Sequence, residues 1–261
     1  MDYNFITPEF NLSMILMDLD KPIKITFSTY DLDMTLFFYE FYDPNIQYDI
    51  WYWFSIRNMS LPNNVHLHQL NNNHCKFWYI ETKSFIRFIL TSTNITYQMV
   101  HDCLQSICSF TCKKSSSCKS IEYNNYFKQF FDIFGIEMDL NMFNLLKDKL
   151  LFNIPNKLNG IERWLSTRNS LIIDSNNVNL TYLPNINKKI LIRTEIPPNF
   201  SSIVCYYRLD YKSIKNLLIK IKYSKLFHYK LYYSNDSILI SSNNFSFNHK
   251  MNYELGIIIK K

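Results

Sequence analysis

The sequence predicts an α+β fold of two similar halves, each with two helices packed on antiparallel sheet. Three observations lead there. One order of signals, strand, helix, strand, turn, strand, recurs four times along the 261 residues, and self-similarity of this kind decides the fold before any single element does. Apolar residues make up 47% of the chain, enough to bury a substantial core without disulfide staples. The stretch KKSSSCKSIEYNN at 113–125 is polar, turn-prone and aperiodic, and it separates the first pair of copies from the second.

In chain order, the first copy is compressed: a brief strand at 3–6, a helix at 8–19, and a hairpin formed by 23–28 and 34–39. The segment IQYDIWYWFSI at 46–56 is β-prone and aromatic, and the alternate positions of Trp51 and Trp53 put both on one sheet face, read as core with an exposed stacking platform for bases as the alternative. The second copy has a strand at 76–81, helix-starting residues Thr82, Lys83 and Ser84, and an inward face of Phe85, Phe88 and Ile89. Its hairpin is 95–103 with 104–112. A helix over 126–146, with Phe127, Phe130, Phe131 and Phe134 on one face and a break at Gly135, belongs to no copy. It reads either as a cover over the junction of the halves or as a partner-binding element.

The third copy has a strand at 150–154, a short helix at 159–166 with Ile161, Trp164 and Leu165 inward, and a hairpin of 171–174 with 178–183. A strand at 190–196 leads to the fourth. There, alternation at 204–209 gives a strand, and Ile214, Leu217, Leu218 and Ile221 at i, i+3, i+4, i+7 give one apolar helical face. A strand at 226–233, a turn at Ser234, Asn235 and Asp236, a strand at 238–240 and a last strand at 253–259 complete the chain. The resulting domains are 1–118, a linker and extra helical segment at 119–148, and 149–261.

Three glycines cannot build a Gly-rich phosphate loop, which removes most nucleotide-dependent enzymes and implies no cofactor. The formal charge of +6 is dispersed. No basic leader and no membrane-length apolar run is present, so an intracellular, soluble protein without a membrane partner is expected. Cys103, Cys108, Cys112 and Cys118 with His101 lack the paired two-residue gaps of zinc sites, and no metal is expected. His66, His68 and His74 have no acid at a matching spacing, so no catalytic site is assigned there. Asp31 and Asp33 read as turn carboxylates.

Taken together, two halves of this order and length resemble the sliding-clamp fold of proliferating-cell nuclear antigen and the checkpoint clamps. The segments IKITFSTYDLDMTLFFYEFYDPNIQYDIWYWF and LDYKSIKNLLIKIKYSKLFHYKLYYSNDSILISS are most similar to the clamp-fold late transcription factor of poxviruses. That resemblance implies a non-enzymatic factor in viral late transcription, in host cytoplasm if poxviral and in the nucleus otherwise. A polymerase processivity clamp or checkpoint-clamp subunit is the alternative.

It also implies helices facing duplex DNA, with sequence-independent phosphate contacts from Lys83, Arg87, Arg163, Arg168, Lys212, Lys215 and Lys220. The first helix carries no basic residue, which departs from a symmetric DNA-lined channel. Transcription or replication proteins are the expected partners. Self-association would use exposed strand edges at 34–39 or at the end of 104–112. An enzyme and a capsid or matrix protein are the competing classes.

Overall fold

Runs rich in Ile, Phe, Tyr and Thr make most of the described chain strand, and the apolar periods decide which face of each strand is covered. The computed structural model describes residues 24–29, 34–39, 65–70, 72–92, 107–116, 125–175, 189–195, 218–224, 230–245 and 251–261. They belong to two units, Met1–Asp148 and Lys149–Lys261. No described helix is long and apolar enough to cross a membrane.

The first unit holds β1 (Lys24–Thr29), β2 (Met34–Tyr39), β3 (Val65–Gln69), β4 (Phe77–Glu81), β5 (Phe85–Thr91) and β6 (Ile107–Lys113). They form one antiparallel sheet in the order β3-β2-β1-β4-β5-β6. Helices α1 (Asn125–Ile133) and α2 (Leu140–Leu146) follow, separated where Gly135 takes φ 64°. Asp139 caps α2 through its carboxylate, which accepts from the Asn141 and Met142 amides. Phe130, Phe131 and Phe134 of the α1 stretch pack on the sheet, with Phe77 4.9 Å from Phe134 and 6.3 Å from Phe131 between ring centroids. The aromatic face expected to cover a junction or bind a partner is therefore core of the first unit.

The second unit holds β7 (Leu150–Ile154), β8 (Leu158–Asn159), α3 (Gly160–Ser166), β9 (Ser170–Asp174), β10 (Lys189–Glu195), β11 (Leu218–Ser224), β12 (Leu231–Tyr233), β13 (Ser237–Ser241) and β14 (Glu254–Lys260). Its sheet order is β11-β10-β9-β12-β13-β14-β7-β8, with β9, β10 and β11 parallel and the rest antiparallel. Helix α3 places Ile161, Trp164 and Leu165 in a core with Leu171, Ile173, Tyr232, Leu239 and Phe245. Gly160 is required by proximity, since a Cβ there would stand 2.9 Å from the Phe152 carbonyl oxygen.

These elements overturn the clamp fold. The stretch expected as a helix after Thr82 is β5. The Thr82 hydroxyl accepts from the Ser84 and Phe85 amides, the same bonds an N-cap makes, but the Thr82 amide donates to the Phe85 carbonyl and closes a hairpin turn. Phe85, Phe88 and Ile89 fit a helical stripe. Ile86 and Leu90 are apolar as well, however, and a run apolar on both faces suits an interior strand flanked by β4 and β6.

The end of the helix expected from Ile214, Leu217, Leu218 and Ile221 is β11, where Ile219, Ile221 and Tyr223 alternate with Lys220 and Lys222. Both sides of β9 are taken, by β10 and β12, so the hairpin of 171–174 with 178–183 does not form. Strand β2 lies between β1 and β3 and is no edge. Both described helices of the first unit fall in 125–146, the stretch assigned to no copy, and α3 is the one described helix of the second. The helices expected at 8–19 and before residue 218, and the Trp51 and Trp53 strand, lie outside the described residues.

Candidate functional site

What repeats is a four-strand sheet. In the first unit β1-β4-β5-β6 are neighbours in that order, and in the second β9-β12-β13-β14 are, with every adjacent pair antiparallel. The registers coincide: Ser28, Phe77, Leu90 and Cys108 stand across one row, and Asp174, Leu231, Ile240 and Ile257 across the other.

At the same end of each sheet a lysine enters the second strand and hydroxyl residues leave the third. The Thr91 amide donates to the Lys76 carbonyl at 3.0 Å, and the Ser241 amide to the Lys230 carbonyl at 3.2 Å. Lys76 and Lys230 are each 2% exposed. Ammonium groups withdrawn from water to this degree are held by acceptors or anions. Each lysine lies two residues after a histidine, in His74-Cys75-Lys76 and His228-Tyr229-Lys230. Each hairpin is followed by a hydroxyl-rich tetrapeptide ending in asparagine, Thr91-Ser92-Thr93-Asn94 and Ser241-Ser242-Asn243-Asn244. His228, Thr93 and Asn94 lie outside the described residues.

In the first unit, half-buried His74 sits in a tied loop. The Asn73 Oδ1 accepts from the Cys75 amide at 3.0 Å, and the Asn73 Nδ2 donates to the Ser28 Oγ at 2.7 Å. The Ser28 hydroxyl donates to the Cys75 carbonyl at 2.9 Å, and the Lys76 Nζ to the His74 carbonyl at 2.7 Å. In the second unit the Ser242 hydroxyl donates to the Glu254 carboxylate at 2.5 Å and accepts from the Leu255 amide at 3.0 Å. The Asn243 side chain is 1% exposed, and neither its Nδ2 nor its Oδ1 has a hydrogen-bond partner in the protein. A buried unpaired amide costs about 1–3 kcal/mol, which a polar ligand at this strand end would recover. Tyr232, whose hydroxyl donates to the Asn243 carbonyl at 2.7 Å, is held neutral: burial, then the charge of Glu254, pushes its pKa well above the ordinary phenol value.

The basic residues expected to line DNA are dispersed. Lys83 is exposed at the β4–β5 turn, and Arg87 lies on β5 with its Nε donating to the Thr111 hydroxyl at 3.1 Å. Arg163 is exposed on α3. Arg168 stacks over Trp164 at 4.7 Å and pairs with Asp236 at 2.8 Å. Lys220 is on β11, and Lys212 and Lys215 lie outside the described residues. The helix faces that grouped these side chains do not exist at Lys83, Arg87 and Lys220.

Cys108 is buried, and burial followed by the charge of Asp139 pushes Cys112 up to about 12, far from a reactive thiolate. Among the described residues no group of three or more His, Cys, Asp or Glu could hold a metal ion. His74 was set aside for want of a neighbouring acid. The signal that finds it is the repetition of His-x-Lys before a hairpin that ends in Thr/Ser-Ser-x-Asn.

Asp236, at the far turn of the β12–β13 hairpin, is held down at about 2 by hydrogen bonds from the Ser234 and Ser237 hydroxyls and then by Arg168. A carboxylate depressed on folding stabilises above its ordinary pKa of 3.8, and the contribution is lost as pH falls towards about 2. Asp236→Asn is therefore expected to lower the melting temperature at neutral pH and to match the unsubstituted protein near the acid end of that window.

No protein-family model and no curated protein matches the chain. Among solved structures it is similar to the yeast tyrosyl-DNA phosphodiesterase, at 12% identity over 71% of this chain and 67% of that one, with a TM-score of 0.43. It is also similar to Nuc, a phospholipase D family member from Salmonella typhimurium, at 16% identity over 43% of this chain and 82% of that one, with a TM-score of 0.31. These neighbours are phosphodiesterase and phospholipase D proteins, not sliding clamps. The clamp resemblance, the late-transcription and processivity-clamp roles and the non-enzymatic assignment that followed from it are withdrawn. With TM-scores below 0.5 the two likenesses carry no chemistry to this chain.

Proposed function

We propose that the chain is an enzyme that cleaves phosphodiesters. The observation that carries this reading is the duplicated strand end: a buried lysine two residues after a histidine, bonded through its carbonyl to the first residue of a Thr/Ser-Ser-x-Asn run. Histidine supplies a nitrogen nucleophile at neutral pH, whereas lysine ammonium, hydroxyl and carboxamide groups supply the donors that a developing phosphorane charge needs.

In the first unit the His74 imidazole attacks phosphorus. A P–N bond forms as a P–O bond breaks, the leaving alkoxide takes a proton, and water then hydrolyses the phosphoramidate to regenerate the imidazole. Lys76 neutralises the non-bridging oxygens, and Ser92, wholly buried beside Thr91, belongs to the same donor set. In the second unit Lys230, Ser241, Ser242 and Asn243 repeat these donor types. The formal charge of +6 favours polyanionic esters, and a sequence-independent contact to a nucleic-acid backbone is part of the proposal on that ground alone.

The test is incubation of the purified chain with bis(p-nitrophenyl) phosphate. Nitrophenolate release is expected, together with an acid-labile, alkali-stable phosphate on the peptide containing His74 after rapid quenching. Absence of both at high enzyme concentration would remove the proposal.

A further inference from the structure

We infer that Ser28 and Asn73 are positioning residues that aim His74, an inference that rests on the phosphodiesterase reading given above. Backbone and side-chain bonds fix the chain on both sides of this one histidine. On its near side the Asn73 Oδ1 takes the Cys75 amide at 3.0 Å, an Asx-turn with His74 at its middle. On its far side the Cys75 carbonyl receives the Ser28 hydroxyl at 2.9 Å. The Asn73 Nδ2 closes the ring onto the same Ser28 oxygen at 2.7 Å.

Ser28, Asn73 and Cys75 are each fully buried, so no water competes for these bonds. Ser28 stands directly across from Phe77 in the β1–β4 register, which refers the loop to the rigid interior of the sheet. Asn72, at φ 60°, supplies the left-handed residue that turns the chain into the loop, a conformation asparagine tolerates better than most side chains. Lys76 adds a fourth tie through the His74 carbonyl at 2.7 Å.

A loop with so many bonds over four residues has little freedom left. For an attacking imidazole this is the useful state, because the entropy of alignment is spent in folding and not in each turnover. Ser28 and Asn73 bond to the Cys75 amide and carbonyl and to each other, so they act through the backbone that carries His74 and not on the substrate.

The experiment compares Ser28→Ala, Asn73→Ala, Asn73→Asp and Thr26→Val on bis(p-nitrophenyl) phosphate. Asp at 73 keeps the oxygen that accepts the Cys75 amide. Thr26 is as buried as Ser28 and on the same strand, but its hydroxyl bonds to nothing in the protein. Ser28→Ala and Asn73→Ala are expected to lower kcat about 10- to 100-fold with KM changed less than about 2-fold. Asn73→Asp, which keeps the acceptor for the Cys75 amide and loses the donor to Ser28, should fall between Asn73→Ala and the unsubstituted protein, and Thr26→Val should retain all of kcat.

Amide hydrogen exchange at Cys75, read by NMR in the full chain, should accelerate in the two alanine variants and not in Thr26→Val. Unchanged kcat in both alanine variants of an active enzyme would overturn the inference while leaving the phosphodiesterase reading intact. If the unsubstituted chain shows no turnover, that reading fails by itself. The Cys75 exchange then still decides whether the ties hold the loop, and unaltered exchange would overturn them too.

Discussion

His74→Asn is expected to lower turnover of a phosphodiester by about 10³-fold or more while leaving the melting temperature within a few degrees of the unsubstituted protein. Asparagine retains a polar side chain of similar reach, and the ties around the loop use the residue 74 carbonyl and the Cys75 backbone, so the Asx-turn and the Lys76 bond to the residue 74 carbonyl persist. What disappears is a nitrogen lone pair able to bond to phosphorus and leave again. Steady-state rates together with the quench-trapped phosphopeptide check it. Retention of both in the variant would assign the attack to another group. The same substitution at His228 asks whether the second copy of the motif is needed for turnover.

Phe77→Ala is expected to cost about 3–5 kcal/mol of stability in urea unfolding, the largest single loss among the residues named here. Phe77 is wholly buried and, with Phe88, joins the sheet to the helical stretch, its centroid 5.8 Å from Phe88 and 4.9 Å from Phe134. Removing the ring leaves a void lined by aromatic groups that stand on two separate elements and cannot collapse onto one another without moving α1. A loss below about 1 kcal/mol would mean that α1 is not seated on the sheet as described. The two substitutions separate chemistry from folding although His74 and Phe77 stand only three residues apart, because one removes a half-buried imidazole and the other a wholly buried ring.

Much of the strand content was legible. Strands expected at 23–28, 34–39, 76–81 and 150–154, and from the apolar run at 238–240, are strand in the structure. The short helix with Ile161, Trp164 and Leu165 inward was equally legible, since a three-residue apolar stripe there competes with no β pattern. Ambiguity entered where apolar residues fill both periods. Phe85, Ile86, Phe88, Ile89 and Leu90 satisfy a helical stripe and a two-faced strand at once, and the flanking strands decide between them. At 218–224 the lysines of a strand mimic the polar side of a helix.

Parallel pairing of β9, β10 and β11 left no mark in the local pattern, because it is set by connections and not by alternation. The residues of the proposed site stand in the sequence as a repeated His-x-Lys tripeptide. They were passed over because His74 was weighed against nearby acids, a criterion suited to triads and metal sites, and not against the lysine two residues on. The buried Ser28, by contrast, has no signal in the sequence: its partner loop begins 45 residues later.

The two hairpins differ in reach. The chain from Lys230 to Ser241 is four residues shorter than that from Lys76 to Thr91, yet both close with the same bond at the lysine end. Extra length is absorbed at the opposite end, around Lys83 in one and Asn235 in the other. Growth or trimming of those tips is thus mechanically insulated from the margin proposed to bind phosphate, which leaves them as places where lineage-specific elaboration, or an engineer's fused tag, can accumulate without disturbing it.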